Sequence, residues 1–256
     1  MLCRTFGGLH RTPLDPAKAH RVLDVGCGTG IWSIDFAKQC PDAEVLGFDL
    51  QESPAWSCLP SNCKLRVADL EDAATWSSFD ESFDFVYGRM IVVGVKDWPR
   101  LFQRCFQALK PGGWMEIQDL RFPIQCSDEQ SADASKFVQW SHLMIDAMQK
   151  FHLSPQAMDS FPTLMGEVGF QRVTMEDFKM FSGPWSEMEE ERELGRMGMM
   201  NFSLGLRGFS STLFTNALGW SAERHEALVQ ELLQELRDGM YRAYLPIKVC
   251  FAQKPE

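Results

Sequence analysis

The sequence predicts an α/β fold, in which a doubly wound, mostly parallel sheet is followed by a C-terminal helical insertion or cap. The first half of the 256-residue chain alternates short apolar runs with amphipathic patterns, as strands separated by helices do. Strands joined in this way pair in parallel, because right-handed crossovers return the chain to the same end of the sheet. Between Phe178 and Met240 the pattern is helical.

Each predicted strand of the first half is an apolar run bounded by turn-forming residues, and the runs are Arg21–Val25, Glu44–Phe48, Lys64–Val67, Phe83–Tyr87 and Gly113–Asp119. Two helices are predicted between them, Ile31–Gln39 and Trp98–Leu109. The second helix is expected to stop at Lys110-Pro-Gly-Gly113, because proline and glycine do not continue a helix.

The second half is predicted to contain two further helices, Ser131–Phe151 and Pro155–Val168, and helical segments from Trp185 to Gly239. It is also predicted to contain two strands, Phe170–Asp177 and Arg242–Phe251. Glycines at Gly205, Gly208 and Gly219 are expected to break the last stretch. We expect a single domain, residues 1–256, with a helical cap within roughly 179–240 over the carboxyl ends of the strands, where open parallel sheets bind ligands.

Charge and composition exclude several classes of protein. Lys and Arg number 25 against 35 Asp and Glu, a net charge of −10, so the chain repels a phosphate backbone and no nucleic-acid partner is expected. No apolar run reaches the length of a membrane span, and no secretory signal is recognised, so no membrane association is expected. The eight cysteines form no Cys-x-x-Cys pair, so no metal site is expected. We expect reduced thiols and a cytoplasmic protein, with the nucleus as the alternative.

A glycine-rich loop, Gly26-Cys27-Gly28-Thr29-Gly30, joins the first predicted strand to the first predicted helix. Its glycines allow a tight turn and close approach to a ligand, and free N–H groups at the helix start favour polar or anionic groups. The spacing Gly-x-Gly-x-Gly differs from the Gly-x-Gly-x-x-Gly of dinucleotide binding. Asp24, just before the loop, suits a cationic ligand and is unfavourable beside a pyrophosphate.

Two more carboxylates follow neighbouring strands. Asp49 closes the second strand, where an acid can accept hydrogen bonds from both ribose hydroxyls. Asp69 follows the third strand, and its carboxylate together with the N–H of Leu70 can read the amino edge of an adenine. These features describe an adenosine ligand with a positive charge and no pyrophosphate, as in S-adenosylmethionine (SAM). Each acid alone also fits a structural role: Asp24 as a loop acceptor, Asp49 as a turn cap, and Asp69 as the N-cap of Glu71–Trp76.

The segment Arg21-Val-Leu-Asp-Val-Gly-Cys-Gly-Thr-Gly-Ile-Trp32 resembles motif I of the class I SAM-dependent methyltransferases, which have a Rossmann-like fold. Other motifs resemble the fungal methyltransferases of secondary metabolism, described as LaeA-like or TAM-domain proteins, and they are Gly47-Phe-Asp-Leu50, Asp97-Trp-Pro-Arg-Leu101, Leu109-Lys-Pro-Gly-Gly-Trp114, Gly183-Pro-Trp185, Gly205-Leu-Arg-Gly-Phe209 and Ala243-Tyr-Leu-Pro246. The resemblance covers nearly the whole chain.

The chain departs from the family at two points. Cys27 stands where the family usually has Thr, and only its backbone is expected to face the ligand. Family members usually carry a longer N-terminal segment that helps cover the cofactor. Here Leu9, His10 and Pro13 match the end of that segment and little precedes them, so a shorter cover over the cofactor is expected.

The resemblance implies SAM as the cofactor and a small-molecule acceptor. Arg89, after the fourth strand, is interpreted as a ligand of the cofactor carboxylate or of an acidic substrate, with an ion pair as the alternative. The candidate cofactor-binding residues are Asp24, Gly26, Cys27, Gly28, Gly30, Asp49, Leu50, Asp69, Leu70 and Arg89.

No residue is identified as a catalytic base. His142 lies in a predicted helix and is usually structural in such a place, His152 suits a helix end, and His225 lies on an exposed-looking face. The insertion is rich in Met and Phe, including Met200 and Phe202. It is interpreted either as the wall of a lipophilic acceptor pocket or, more simply, as helix packing.

The leading hypothesis is a SAM-dependent methyltransferase that acts on O, N or S of a small, lipophilic secondary metabolite. One alternative is a methyltransferase-fold regulator of secondary metabolism that acts through protein partners. Another is a fold recruited for a non-methylating reaction such as cyclisation. The glycine spacing disfavours a nicotinamide oxidoreductase. The sequence identifies neither a protein partner nor a homodimer.

Overall fold

A computed structural model describes residues 1–15, 18–128 and 132–256. The chain divides into two compact units. The sheet unit comprises Phe6–Asp119, Ala157–Glu176 and Lys248–Glu256. The helical unit comprises Met1–Thr5, Leu120–Gln156 and Asp177–Ile247.

The strands of the described residues are β1 Arg21–Val25, β2 Glu44–Asp49, β3 Cys63–Val67, β4 Phe83–Arg89, β5 Leu109–Leu120, β6 Gln125–Cys126, β7 Gln171–Phe181 and β8 Ala243–Gln253. They form one sheet in the order β3-β2-β1-β4-β5-β8-β6, with β7 paired to β8. The pairings β1–β2, β1–β4, β2–β3 and β4–β5 are parallel, and β6 runs antiparallel to β8.

The strand order changes direction between β1 and β4. From β1 the chain moves outward to β2 and β3, and from β4 it moves to β5 on the other side. With right-handed crossovers, the two sets of connecting helices lie on opposite faces of the sheet. The carboxyl ends of β1 and β4 therefore flank the switch point where such sheets bind ligands. The predicted doubly wound, mostly parallel sheet is confirmed.

The helices of the described residues are α1 Leu2–Phe6, α2 Ile31–Gln39, α3 Ala73–Trp76, α4 Trp98–Ala108, α5 Lys136–Lys150, α6 Phe161–Val168, α7 Glu189–Leu218 and α8 Ala222–Asp238. Short 3-10 helices cover Pro54–Cys58 and Ala157–Ser160. No helix among the described residues is both long and apolar enough to cross a membrane.

Aromatic side chains build the core of the sheet unit. Trp32 of α2 stacks on Tyr87 of β4, with 3.7 Å between ring centroids and 7° between ring planes. Trp98 of α4 packs on Phe161 of α6 at 4.4 Å. Burial of each large apolar side chain contributes about 1.5–3 kcal/mol. The contact of Trp32 with β4 holds α2, and with it the glycine loop that leads into α2.

The predicted strands and helices of the first half are present, with shifted ends. β2 includes Asp49, and β4 continues beyond Tyr87 to Arg89. α4 ends at Ala108, just before Lys110-Pro-Gly-Gly113, so the predicted stop of this helix is confirmed. The run itself lies within β5, where it interrupts the β4–β5 register and Gly112 has φ +75°. α1 and β6 are elements that the sequence analysis did not predict.

In the second half the helices begin later than predicted. α5 begins at Lys136, and Ser131 lies outside the described residues. The segment from Pro155 forms a 3-10 helix before α6. The predicted strand Phe170–Asp177 is present as the longer β7, and Arg242–Phe251 as β8.

The prediction that Gly205 and Gly208 break the helical stretch is wrong. Both lie inside α7, a continuous helix of 30 residues. Each internal glycine is less favourable than alanine by about 1 kcal/mol, and burial of the apolar face of the helix outweighs this loss. Gly219 does end the helix, in the left-handed conformation with φ +68°.

Phe202 belongs to the core of the helical unit. It is buried and packs edge-on against Phe137 of α5, with 5.0 Å between ring centroids. Met200, two residues away on α7, is 61% exposed. The packing interpretation of the insertion therefore applies to Phe202.

The expectation that His225 is exposed is wrong. His225 is buried, and its Nε2 lies 2.9 Å from Oγ of Ser210, so the pair joins α8 to α7. Burial lowers the pKa of His225. His225 is the first residue of a buried stripe on α8 that continues through Val229, Leu232 and Leu236. The charged residues next to it in sequence make this position look exposed.

Two glycines of α7 give opposite stability predictions. A Cβ at Gly198 would collide with the carbonyl oxygen of Phe181, whereas a Cβ at Gly208 would meet nothing within 4 Å. Gly198→Ala is expected to destabilise the protein by about 1–3 kcal/mol or more. Gly208→Ala, the matched control, is expected to stabilise it by about 0.5–1 kcal/mol. Urea unfolding measures both changes, and equal stability of the two variants contradicts this packing of α7.

Candidate functional site

The loop between β1 and α2 adopts a backbone that only glycine permits. Gly26 has φ +71°, and a Cβ there would lie 2.5 Å from Cγ2 of Ile91. Gly30 has φ +76° and is the N-cap of α2, where a Cβ would collide with Leu65. The loop therefore packs closely against the segments around it, and a side chain at either position would push the loop out of place.

The backbone of Cys27 ties the loop to β2. The N–H groups of Gly26 and Cys27 both donate to the carbonyl of Phe48 at 3.0 Å. A Cβ at Gly47 would lie 3.2 Å from Cβ of Cys27, so the Cys27 side chain packs over β2. Burial raises the pKa of the Cys27 thiol well above its usual value. Burial therefore favours the neutral thiol over the reactive thiolate.

Asp24 is a buried carboxylate in the middle of the sheet. It is 2% exposed, and Oγ of Ser33 in α2 donates to it at 2.5 Å. Burial raises the pKa of Asp24 to about 7, while the bond from Ser33 and the charge of Arg89 oppose that rise and the charge of Asp49 adds to it. The structure thus brings Asp24, Asp49 and Arg89 close enough to interact electrostatically. A cation bound beside Asp24 would favour its ionised form.

Asp49, the last residue of β2, holds the glycine loop. Its Oδ2 accepts from the N–H of Gly28 at 2.8 Å, and its Oδ1 accepts from the N–H of Gln51 at 3.3 Å. Leu50, next in the chain, is 59% exposed and places an apolar side chain beside this edge. Asp49 therefore has a structural role in the loop, and its ribose-binding role stays a prediction.

The turn Asp69–Leu70 after β3 is held by its carbonyl groups. Oγ1 of Thr75 donates to the carbonyl of Asp69 at 2.7 Å. Nε1 of Trp76 and Nη1 of Arg104 donate to the carbonyl of Leu70 at 2.9 Å and 2.7 Å. The turn is therefore in a defined position, which recognition of an adenine edge requires.

The N-cap interpretation of Asp69 is wrong. Asp72 is the N-cap of α3, since its Oδ1 accepts from the N–H of Ala74 at 3.0 Å. Asp69 instead accepts from the N–H of Glu71 at 2.8 Å within the preceding turn.

Two residues that the sequence analysis missed also hold the site. Asp119 at the end of β5 is fully buried, and its Oδ2 accepts from the N–H groups of Ile91 and Val92 at 2.7 Å and 2.8 Å. Because Ile91 contacts Gly26, Asp119 sets the approach of the segment after β4 to the glycine loop. Nε1 of Trp56 donates to the carbonyl of Gly28 at 3.1 Å from the other side of the loop.

We assign no histidine as a catalytic base. His142 is exposed on α5 of the helical unit. Within residues 1–15, 18–128 and 132–256 there is no group of three or more His, Cys, Asp or Glu side chains that could hold a metal ion. The candidate site contains glycines, carboxylates and two arginines, Arg89 and Arg104.

A profile of the methyltransferase domain family matches residues 3–175. This range contains β1 to β5 and every candidate cofactor-binding residue. The chain therefore belongs to the methyltransferase domain family.

The chain is similar to two fungal proteins, a methyltransferase and a regulator of secondary metabolism. Methyltransferase pytC of Aspergillus terreus is 32% identical over 252 residues, which cover 96% of this chain and 75% of the relative. The secondary metabolism regulator LAE1 of Cochliobolus heterostrophus is 30% identical over 256 residues, which cover 98% of this chain and 82% of the relative. The predicted resemblance to this group is confirmed.

A solved structure supports the fold. Phosphoethanolamine N-methyltransferase 2 of Haemonchus contortus, in complex with S-adenosyl-L-methionine, matches with a TM-score of 0.58 and 19% identity. The match covers 100% of this chain and 51% of the other, so this chain spans about half of the length of that enzyme. The Rossmann-like class I methyltransferase fold predicted from the sequence is confirmed.

Asp24→Asn is expected to change how stability depends on pH. Because burial raises the pKa of Asp24 to about 7, the folded protein binds more protons than the unfolded chain between about pH 4 and pH 7. Wild-type stability should therefore fall relative to the variant as the pH rises through that window, by on the order of 4 kcal/mol. Chemical denaturation of the ligand-free proteins across the window measures this, and parallel pH profiles contradict it.

Proposed function

We propose that the protein is a SAM-dependent methyltransferase that transfers a methyl group to O, N or S of a small, lipophilic secondary metabolite. The observation that carries the proposal is Asp24, buried directly before the glycine loop. A buried carboxylate at this point favours a cationic ligand and disfavours a pyrophosphate. Membership of the methyltransferase domain family and the similarity to pytC support the same assignment.

The residues at the carboxyl ends of β2 and β3 fit an adenosine. A Cβ at Gly28 would meet nothing within 4 Å, so the loop leaves open space above it. In the proposed arrangement Asp49 accepts from the ribose hydroxyls. Asp69 and the N–H of Leu70 bind the amino edge of the adenine, and Leu50 covers the ring.

The residues around β1 and β4 fit the amino-acid end of the cofactor. In the proposed arrangement Asp24 faces the positive charge, while Arg89 and the N–H groups at the start of α2 bind the carboxylate. Gly26, Cys27 and Gly30 contribute backbone only. SAM, when bound, supplies an electrophilic methyl group on a sulfonium.

The contribution of this chain is alignment of the cofactor. Methyl transfer to a good nucleophile depends first on orientation, which converts a bimolecular step into an effectively unimolecular one. The glycine loop is held by Phe48, Asp49 and Trp56, so it is organised before a ligand binds. We assign no catalytic base, and the acceptor is described only by its class.

The second candidate function is a methyltransferase-fold regulator that acts through a protein partner. The observation that favours it is the similarity to LAE1, which covers 98% of this chain. A third candidate is a non-methylating reaction such as cyclisation. All three retain the SAM site. We also propose a cytoplasmic or nuclear location and a single domain with a helical cap within roughly 179–240.

Asp49 and Asp69 give a prediction for cofactor binding, with Asp72 as the matched control. Asp49→Ala and Asp69→Ala are each expected to weaken binding of SAM and of its product S-adenosylhomocysteine by about 1–3 kcal/mol, because donors of the ligand lose an ionised acceptor. Asp72→Ala, the control, removes the cap of α3 and should cost about 0.5–2 kcal/mol of stability without weakening binding. Calorimetry measures affinity, and equal affinity of all three variants contradicts the assigned roles.

The activity is tested with methyl-labelled SAM and a small-molecule extract from a fungal culture. Label that enters a small molecule is the result expected of the enzyme. SAM binding without small-molecule labelling, together with capture of a defined protein partner, supports the regulator instead. Tighter binding of NAD than of SAM refutes the whole proposal.

A further inference from the structure

Glu116 of β5 is a fully buried carboxylate that binds an N-terminal segment of the sheet unit. Its Oε2 accepts from the N–H groups of Arg11 and Thr12 at 2.9 Å and 2.7 Å and from Oγ1 of Thr12 at 2.5 Å. Its Oε1 accepts from Nε2 of Gln118 at 2.7 Å. A carboxylate removed from water is stable only with such donors, so the segment and Glu116 depend on each other.

The same segment is bound at a second point. The carbonyl of Leu9 accepts from Nε1 of Trp32 at 2.9 Å and from Nε2 of Gln118 at 3.3 Å. Oε1 of Gln118 accepts in turn from the hydroxyl of Tyr87 at 2.7 Å. We name residues Leu9–Thr12 the strap. One network of buried and part-buried hydrogen bonds joins it to β4, β5 and α2.

The strap lies on the sheet face that carries Asp24. Asp24 is in register with Tyr87, and Tyr87 is in register with Glu116. Paired residues of neighbouring strands point to the same face of the sheet. Trp32, which stacks on Tyr87 and donates to the strap, is the second residue of α2 and follows the glycine loop directly.

We propose that Glu116 is a positioning residue of the cofactor site: it holds the strap against Trp32 and so keeps the glycine loop in its binding geometry. This inference rests on the proposed function, since it assigns the partner of Asp24 and the loop as SAM. Glu116 does not touch the cofactor. It acts through the backbone N–H groups of Arg11 and Thr12 and through Trp32.

A purely structural role for Glu116 predicts loss of stability alone, so the test needs a control that also loses stability. Asp84 at the start of β4 provides it. Its Oδ2 accepts from the N–H of Arg21 at 2.8 Å, and its Oδ1 accepts from Nζ of Lys110 at 2.7 Å. Asp84 thus holds backbone with the same chemistry at the opposite end of the strand from Arg89.

The experiment compares the full-length wild type with Glu116→Gln, Thr12→Val and Asp84→Asn. Glutamine keeps the shape of Glu116 but replaces one of its two acceptor oxygens with an NH2 group. At least one of the converging donors then faces another donor. Valine removes one donor and leaves the backbone of the strap unchanged, so it serves if Glu116→Gln does not fold. Calorimetry gives the affinity for S-adenosylhomocysteine, and thermal unfolding gives the stability. Trypsin cleavage after the exposed Arg11, identified by mass spectrometry, reports release of the strap.

The proposal expects Glu116→Gln to weaken S-adenosylhomocysteine binding at least tenfold and Thr12→Val about threefold. Each factor of ten corresponds to about 1.4 kcal/mol. S-adenosylhomocysteine should slow cleavage after Arg11 in the wild type and protect Glu116→Gln much less. Asp84→Asn should lose stability while keeping wild-type affinity and protection.

Wild-type affinity and wild-type ligand protection in both Glu116→Gln and Thr12→Val overturn the positioning role. An equal loss of affinity in Asp84→Asn also overturns it, because the effect would then follow general stability. If the wild type itself fails to bind S-adenosylhomocysteine, the proposed function fails. That outcome differs from failure of the Glu116 inference alone.

Discussion

The burial of Asp24 beside the glycine loop is the constraint on which the candidate site depends. A carboxylate in the middle of a sheet loses hydration, and one hydroxyl, that of Ser33, donates to it at 2.5 Å. Its pKa consequently rises to about 7, so the ligand-free site is held between two protonation states. A positively charged ligand favours the ionised state, and a phosphate does not. In the proposed function, this position would favour SAM over a dinucleotide.

The carboxylates around Asp24 act on backbone N–H groups. Asp49 holds Gly28, Asp119 holds Ile91 and Val92, and Glu116 holds the strap. Backbone held in this way does not have to be ordered when a ligand binds, which removes part of the entropic cost of binding. Acidic residues of β2 and β5 therefore hold the backbone of the site. Glycines at Gly26 and Gly30 let the loop pack closely, because a Cβ at either position would clash with a neighbouring side chain.

The parts of the fold with strong local patterns could be predicted from the sequence. The apolar runs of β1, β2 and β4 and the Gly-x-Gly-x-Gly loop located the switch point and the three aspartates. Glu116 could not be found, because in the run Trp-Met-Glu-Ile-Gln a charged residue reads as solvent-facing, while both faces of β5 are buried. The helix breaks predicted at Gly205 and Gly208 are absent, because tertiary packing of a 30-residue helix overrides the low helix propensity of glycine. His225 could have been found from its spacing to Val229, Leu232 and Leu236 on α8.

The central claim is that Asp24 must be ionised to hold the cationic cofactor, and proton release on binding tests it most directly. Calorimetry of SAM binding in buffers of different ionisation enthalpy, at a pH about one unit below the pKa of Asp24, measures the protons released per ligand. The account predicts release of close to one proton from the wild type, tighter binding as the pH rises towards 7, and loss of both effects in Asp24→Asn. Binding without proton release, with equal affinity in wild type and Asp24→Asn, would contradict it.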